Sequence, residues 1–108
     1  MKVGVIEYID SAHYLVGHEK CSKLHGHTYK VEVTVEGENN DGMVIDFYEL
    51  KRILKNVLKM YDHQPLNEII EFPSCENLCE DIYTKLEDEL KLPFNIRVWE
   101  GRDKWTEK

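Results

Sequence analysis

Over residues 25–37 the chain alternates between apolar and polar positions. Tyr29, Val31, Val33 and Val35 fall on one parity, and Thr28, Lys30, Glu32, Thr34 and Glu36 on the other. The pattern predicts a strand with one buried and one wet face. Residues 2–9 are β-rich but alternate less cleanly; they predict an antiparallel neighbour, joined through a long connection over residues 10–24. The stretch GENNDG at 37–42 is a run of turn formers that connects elements within a domain. The period then changes. Phe47, Leu50, Ile53, Leu54, Val57, Leu58 and Tyr61 recur at three-and-four spacing on one helical face, with Asp46 and Glu49 placed as a capping box. A second helix follows Pro73, with Ser74 as its N-cap, Cys75, Leu78, Cys79, Ile82, Leu86 and Leu90 along one face, and Pro93 closing it. Phe94, Ile96 and Val98 then alternate with Asn95, Arg97 and Trp99 in a third strand, which returns through GRDK into a short fourth.

Strand, strand, helix, helix, strand, strand is an α+β order, and predicts a four-stranded antiparallel sheet with two helices on one face. The other face would carry Lys30, Glu32, Thr34 and Glu36, and both sheet edges would be open. Such edges are commonly closed by pairing with copies of the same sheet, which predicts a ring-like homo-oligomer.

Composition sharpens this picture in three ways. A chain of 108 residues with 42% hydrophobic content suits one domain over residues 1–108. Fourteen basic against 21 acidic residues, a net charge of −7, argue against nucleic acid as a partner, because duplex binding rests on lysine and arginine neutralising phosphates. No window approaches the roughly 20 apolar residues of a membrane span, and MKVGVIEYID lacks an unbroken apolar core of the signal-peptide kind. With three cysteines, too few and oddly counted for a disulfide framework, the expectation is a cytoplasmic protein with reduced thiols and no membrane partner.

The candidate chemistry is concentrated in KCSKLHGH, residues 20–27. On a strand His25 and His27 point the same way, about 6.5 Å apart, and two imidazole nitrogens can converge on one ion at roughly 2.0 Å each. His13, near the end of the first strand, supplies a third ligand if the two strands pair. Three protein ligands with a fourth position open is the catalytic pattern for zinc. The alternative is three polar histidines at strand ends. Cys21 either completes a closed site or stands off the metal as an acid/base, its thiolate favoured by a nearby cation and Lys20. Asp62 can orient His63 where Pro65 forces a turn, or the two are simply a solvated helix end. Glu100 continues the parity of Phe94, Ile96 and Val98. A carboxylate there needs a partner, and a ligand with a guanidine-like pair of N–H donors would satisfy it bidentately, unless the strand frays first. Cys75 and Cys79 lie on an apolar helix face and read as core rather than as metal ligands.

Taken in order, SAH at 11–13, C-x3-HGH at 21–27, GMVIDF at 42–47, YDHQPLN at 61–67, PSCEN at 73–77 and WE at 99–100 resemble the 6-pyruvoyl tetrahydropterin synthase / 6-carboxy-tetrahydropterin synthase family. The resemblance implies the tunnelling fold, in which trimers close a twelve-stranded barrel and two trimers stack as a hexamer. It also implies that His13, His25 and His27 bind zinc and that Cys21, Asp62 and His63 form the acid/base set. Glu100 would anchor the pterin's 2-amino group and ring N–H, with Ser74 and Cys75 against the ring. The implied substrate is 7,8-dihydroneopterin triphosphate. Three residues between Cys21 and His25 resemble the 6-carboxy-tetrahydropterin branch, which releases triphosphate and acetaldehyde and feeds 7-deazaguanine (queuosine and archaeosine) synthesis. The same resemblance leaves 6-pyruvoyl tetrahydropterin synthase activity, or a zinc- and pterin-binding module without turnover, as alternatives. Lys20, Lys23 and His18 are the cations nearest in sequence for the triphosphate. Tyr61 stands where the family usually has leucine, and Ser74-Cys75 where threonine is common.

Overall fold

In a computed structural model describing all residues 1–108, the elements run β1 (Lys2–His13), β2 (His25–Glu36), α1 (Phe47–Leu58), a 3-10 turn (Leu66–Glu68), α2 (Cys75–Glu87), β3 (Phe94–Glu100) and β4 (Lys104–Glu107). The strands form one antiparallel sheet in the order β1-β2-β3-β4, so β1 and β4 are its edges. Odd-numbered residues of β1 and β2 and even-numbered residues of β3 share a face, and the helices cover it. Ile9, Tyr29, Val31, Val33, Val35, Ile96 and Val98 are all buried there against Leu50, Leu54, Leu78, Ile82 and Leu86. The opposite face stays partly wet, with Lys30 and Glu32 paired at 3.1 Å.

Four local expectations change. β1 continues to His13 rather than ending near residue 9. Its last core-facing positions are Ser11 and His13, which carry no apolar signal but find partners, Ser11 Oγ donating to the Tyr61 carbonyl at 2.5 Å. α1 stops at Leu58, and Tyr61 lies beyond it in a turn, still fully buried, its hydroxyl donating to Asp81 at 2.5 Å. The leucine-to-tyrosine departure is therefore accommodated by a polar partner on α2. The capping box does not form: Asp46 does cap, accepting from the Tyr48 N–H at 2.9 Å, but Glu49 turns outward to Arg52. α2 ends at Glu87, although Leu90 remains in the core. Ser74 caps α2 as expected, accepting from the Asn77 N–H at 3.1 Å.

The β1–β2 ladder is tight at one point. Gly4 faces Thr34, and a Cβ built on Gly4 would stand 2.7 Å from the Val33 carbonyl oxygen. Backbone cannot yield as a side-chain tip can. Gly4→Ala is therefore expected to lower stability by about 1–3 kcal/mol, read as a lower urea midpoint; an unchanged midpoint would show that the two strands part freely there.

Candidate metal centre and proton-transfer pair

At the end of the sheet where β1 and β2 part, the buried face changes from apolar to imidazole. His13 stands directly opposite His25, and Ser11 opposite His27. Ring centroids are 4.6 Å apart for His13–His25, 4.8 Å for His25–His27 and 5.1 Å for His13–His27. Ligating atoms of all three lie within 4.8 Å of one another. Two backbone carbonyls orient the rings. The Nδ1 atoms of His13 and His25 each sit 2.7 Å from a carbonyl oxygen, of Pro73 and Lys23 respectively. Carbonyls only accept, so each Nδ1 carries the proton and each Nε2 keeps its lone pair.

Nε2 of His13 and Nε2 of His27 are buried without a hydrogen-bond partner. An unsatisfied buried polar atom costs roughly 1–3 kcal/mol, so two such atoms aimed into one cluster need a common reason. Convergent neutral imidazoles are the donor set expected for a borderline divalent cation. Burial holds His27 below the ordinary histidine pKa, against the raising effect of Glu100, which favours the ligating neutral form. Glu100 Oε1 lies 3.4 Å from His27 Nε2, a charge contact without hydrogen-bond geometry. Glu100 thus belongs to β3 and does not fray, and it borders the imidazoles directly.

The other candidates fall into separate places. Cys21 is half-buried in the loop between β1 and β2, where its N–H donates to His18 Nδ1 at 3.2 Å and its carbonyl accepts from Leu15. It lies outside the three-imidazole cluster, as do the exposed Lys20 and Lys23. Asp62 and His63 dock on the outer edge of β1. His63 Nδ1 lies 3.0 Å from Asp62 Oδ1, and the pair gathers with Asp10 in a second cluster. The Asp10 N–H donates to Asp62 at 2.9 Å and holds the Asp62 carboxyl below the usual range. A groove of about 570 Å³ runs along this edge and is lined by both His27 and His63, as well as Asp10, Gly26 and Thr28. Cys75, the first residue of α2 after its cap Ser74, lies close enough to Glu100 to feel its charge. Burial, then the Glu100 charge, pushes the Cys75 thiol up to about 12, and it donates to the Val98 carbonyl. Cys79 is buried in the core and pushed up to about 11 by that burial, as the sequence reading of it as a core residue expects.

Sequence reasoning missed Asp10, Thr28 and Lys104. Lys104 faces Glu100 across the β3–β4 ladder, and only the register reveals it. Asp10 and Thr28 had a weak signal, a polar pair flanking the histidine motifs, but their meeting depends on β1 extending past residue 9.

A family model described as 6-pyruvoyl tetrahydropterin synthase matches residues 2–108. A protein of Archaeoglobus fulgidus, provisionally named 6-carboxy-5,6,7,8-tetrahydropterin synthase, is 44% identical over 108 residues, covering 99% of this chain and 94% of its own. A dihydroneopterin monophosphate aldolase of Pyrococcus furiosus is 41% identical over 98 residues, covering 87% of this chain and 84% of its own. The structure of 6-pyruvoyl tetrahydropterin synthase from Caenorhabditis elegans superposes with a TM-score of 0.90 over 100% of this chain and 94% of that one, at 23% identity, a likeness of fold.

The depressed carboxyl of Asp62 makes a signed prediction. A carboxyl lowered on folding adds stability that is present above its unfolded pKa, about 3.9, and is lost as pH falls through the folded value. In metal-free protein, Asp62→Asn should therefore lower the urea midpoint at pH 7 more than at about pH 3. Equal losses at both pH values would show that the charge of Asp62 contributes nothing.

Proposed function

Because the chain belongs to the 6-pyruvoyl tetrahydropterin synthase family, we propose that it is a zinc-dependent carbon-oxygen lyase of the 6-carboxy-tetrahydropterin branch. It would convert 7,8-dihydroneopterin triphosphate and one water to 6-carboxy-5,6,7,8-tetrahydropterin, the side chain's C–O bond breaking to release triphosphate and its C1′–C2′ bond breaking to release acetaldehyde, with the water supplying the second carboxyl oxygen. The observation that carries the reading is the pair of partnerless buried Nε2 atoms, of His13 and His27, converging with His25. The branch is supported by the 44% identity to the Archaeoglobus fulgidus protein across nearly its whole length.

His13, His25 and His27 would hold zinc through Nε2, and the bound ion would supply Lewis acidity to the oxygens of the pterin side chain. Glu100, on the same face as His27, would accept both the 2-amino group and the ring N–H of the pterin, fixing the side chain over the imidazoles. Ser74 and Cys75 would meet the ring at the start of α2. Cys75, being a neutral thiol at physiological pH, acts there by shape and not as a base. Proton movement is left to Cys21 and to His63. With Nδ1–H given to Asp62, His63 offers Nε2 to the groove it shares with His27. Lys20 and Lys23 would have to dominate locally to hold a triphosphate on a chain of net charge −7.

The assembly proposed is a trimer closing a twelve-stranded barrel, stacked as a hexamer in the cytoplasm. The chain measures 52 × 23 × 18 Å, with a radius of gyration of 14.7 Å against about 13 Å for a compact chain of this length. Its two edge strands and the exposed Ile6, Tyr8 and Trp105 would be covered by such closure. The Asp62–His63 pair, sitting on the β1 edge, would then lie at a subunit boundary.

A second reading has specific support. The 41% identity to the Pyrococcus furiosus aldolase over 84% of its length favours a retro-aldol cleavage of the C1′–C2′ bond of dihydroneopterin monophosphate, giving 6-hydroxymethyl-7,8-dihydropterin and glycolaldehyde phosphate, using the same ring anchor and proton pair.

Zinc-loaded protein should be offered the triphosphate and the monophosphate separately, with products read by mass spectrometry. The expected result is 6-carboxytetrahydropterin and acetaldehyde from the triphosphate. The hydroxymethyl product from the monophosphate would favour the aldolase, and 6-pyruvoyltetrahydropterin the sister branch. Cys21→Ala is expected to lower turnover at least ~100-fold while zinc per chain stays unchanged; full retention of turnover, or loss of zinc, would remove Cys21 from the acid/base set. His27→Ala should abolish stoichiometric zinc binding by equilibrium dialysis. Zinc-loaded protein inert toward both substrates would leave a pterin- and zinc-binding module.

A further inference from the structure

We propose that Asp10, held by Thr28, is a positioning residue that fixes the imidazole of His63 for proton transfer; its kinetic consequence rests on the lyase or aldolase reading above. Asp10 lies on the wet face of β1 directly opposite Thr28 of β2, and the Thr28 hydroxyl donates to Asp10 Oδ1. One oxygen of Asp10, one of Asp62 and one ring nitrogen of His63 lie within 4.8 Å of one another. Asp62 makes the direct contact with the ring, at 3.0 Å, and the Asp10 carboxylate stands farther off as a second negative charge within 4.8 Å.

His63 needs such a device. Its side chain is 77% exposed, so packing does not select its rotamer. Its backbone has φ of 57°, the left-handed conformation, which costs a non-glycine residue on the order of 1 kcal/mol. Strain of this kind persists where surrounding contacts over-determine it. The contacts here come from Asp10 and Ala12. The His63 N–H donates to the Asp10 carbonyl at 2.7 Å, the Asp10 N–H donates to Asp62 Oδ1 at 2.9 Å, and the Ala12 N–H donates to the Gln64 carbonyl at 3.2 Å.

The main chain of Asp10 thus sets where the pair sits, and its side chain sets how the ring is turned. With Nδ1–H directed at Asp62, Nε2 is the atom left to exchange a proton. Turning the ring over, or moving the proton to Nε2, would aim a lone pair at the Asp62 carboxylate with the Asp10 charge close by. The second carboxylate therefore reinforces one tautomer. The Thr28 hydroxyl, by binding Asp10 Oδ1, keeps that carboxylate from swinging into solvent and offsets its repulsion with Asp62. Nothing in the sequence alone marks this role, since residues 10 and 28 meet residue 63 only through the strand register and the edge docking.

Asp10→Asn, Thr28→Val and Asp10→Glu test the role in the zinc-loaded protein. Asp10→Asn and Thr28→Val should lower kcat roughly 10- to 100-fold, with KM and zinc content unchanged, and Asp10→Glu should recover part of the loss. The ring is read separately, by long-range proton–nitrogen correlation spectra of protein labelled with ¹⁵N at its five histidines. His63 should show the Nδ1–H tautomer in the wild type and mixed tautomers in Asp10→Asn. Wild-type kcat in Asp10→Asn overturns the proposal. So does an unchanged His63 tautomer in that variant, including one accompanied by a fall in kcat and melting temperature, which would mark a purely structural part. If the wild type turns over neither pterin substrate, the reaction reading fails, and the tautomer spectra still decide the role of Asp10.

Discussion

In the ladder that joins Lys2–His13 to His25–Glu36, a twelve-residue strand that begins with Lys2 opposite Glu36 ends with Ser11 facing His27 and His13 facing His25. Side chains alternate along a strand with a period of two, so a slip by a single residue would turn one strand's whole set to the other face. If β2 turned in this way, His25 and His27 would leave the buried cluster while Gly26 and Thr28 entered it. The valines at 31, 33 and 35 forbid this, because their burial against α1 and α2 is lost in the same slip. The apolar core thus sets the position of the imidazoles as well as the stability of the sheet, and Gly4, against the Val33 carbonyl, tightens the same alignment at the far end.

Much of this architecture could be read from the chain. The valine alternation of β2 and the three-and-four spacing of α1 and α2 stand out because each has one apolar face against one covering layer. β1 was legible only to about residue 9. Beyond it the buried positions are Ser11 and His13, whose burial is compensated by the carbonyls of Tyr61 and Pro73, groups that a hydropathy pattern does not record. The three histidines were legible as a group because strand geometry is regular. The Asp62–His63 pair was legible as a motif and not as a location, since its place depends on a left-handed backbone residue and on an edge contact between segments some fifty positions apart. The closeness of Glu100 to His27 likewise comes from the pairing of Tyr29 with Glu100 between β2 and β3, which no local pattern states.

The odd face of β2 passes without interruption from Val35 through Tyr29 to His27 and His25. Polar groups at the end of a core are costly unless partnered, and here one nitrogen on each of His13 and His25 is partnered by backbone while Nε2 of His13 and Nε2 of His27 are not. The arrangement couples ligand binding to folding, because a cation taken up by those nitrogens would remove a penalty the native chain otherwise carries. The Asp62–His63 pair is built on the opposite principle: it is solvent-accessible, has a left-handed residue in its backbone and is held by hydrogen bonds at a sheet edge. A buried cluster of imidazoles therefore adjoins a wet strand edge, the two sharing one groove.

The thiols of Cys75 and Cys79 carry a practical consequence. Both are raised by burial, to about 12 and about 11, and Cys75 spends its hydrogen on Val98. Since the thiolate is the attacking species, both are expected to react slowly with an electrophile in the folded protein. Cys21, half-buried in its loop with no hydrogen bond from its sulfur, is the thiol an alkylating reagent is expected to mark first in the folded protein, giving a spectroscopic label without prior engineering of the other two sulfurs.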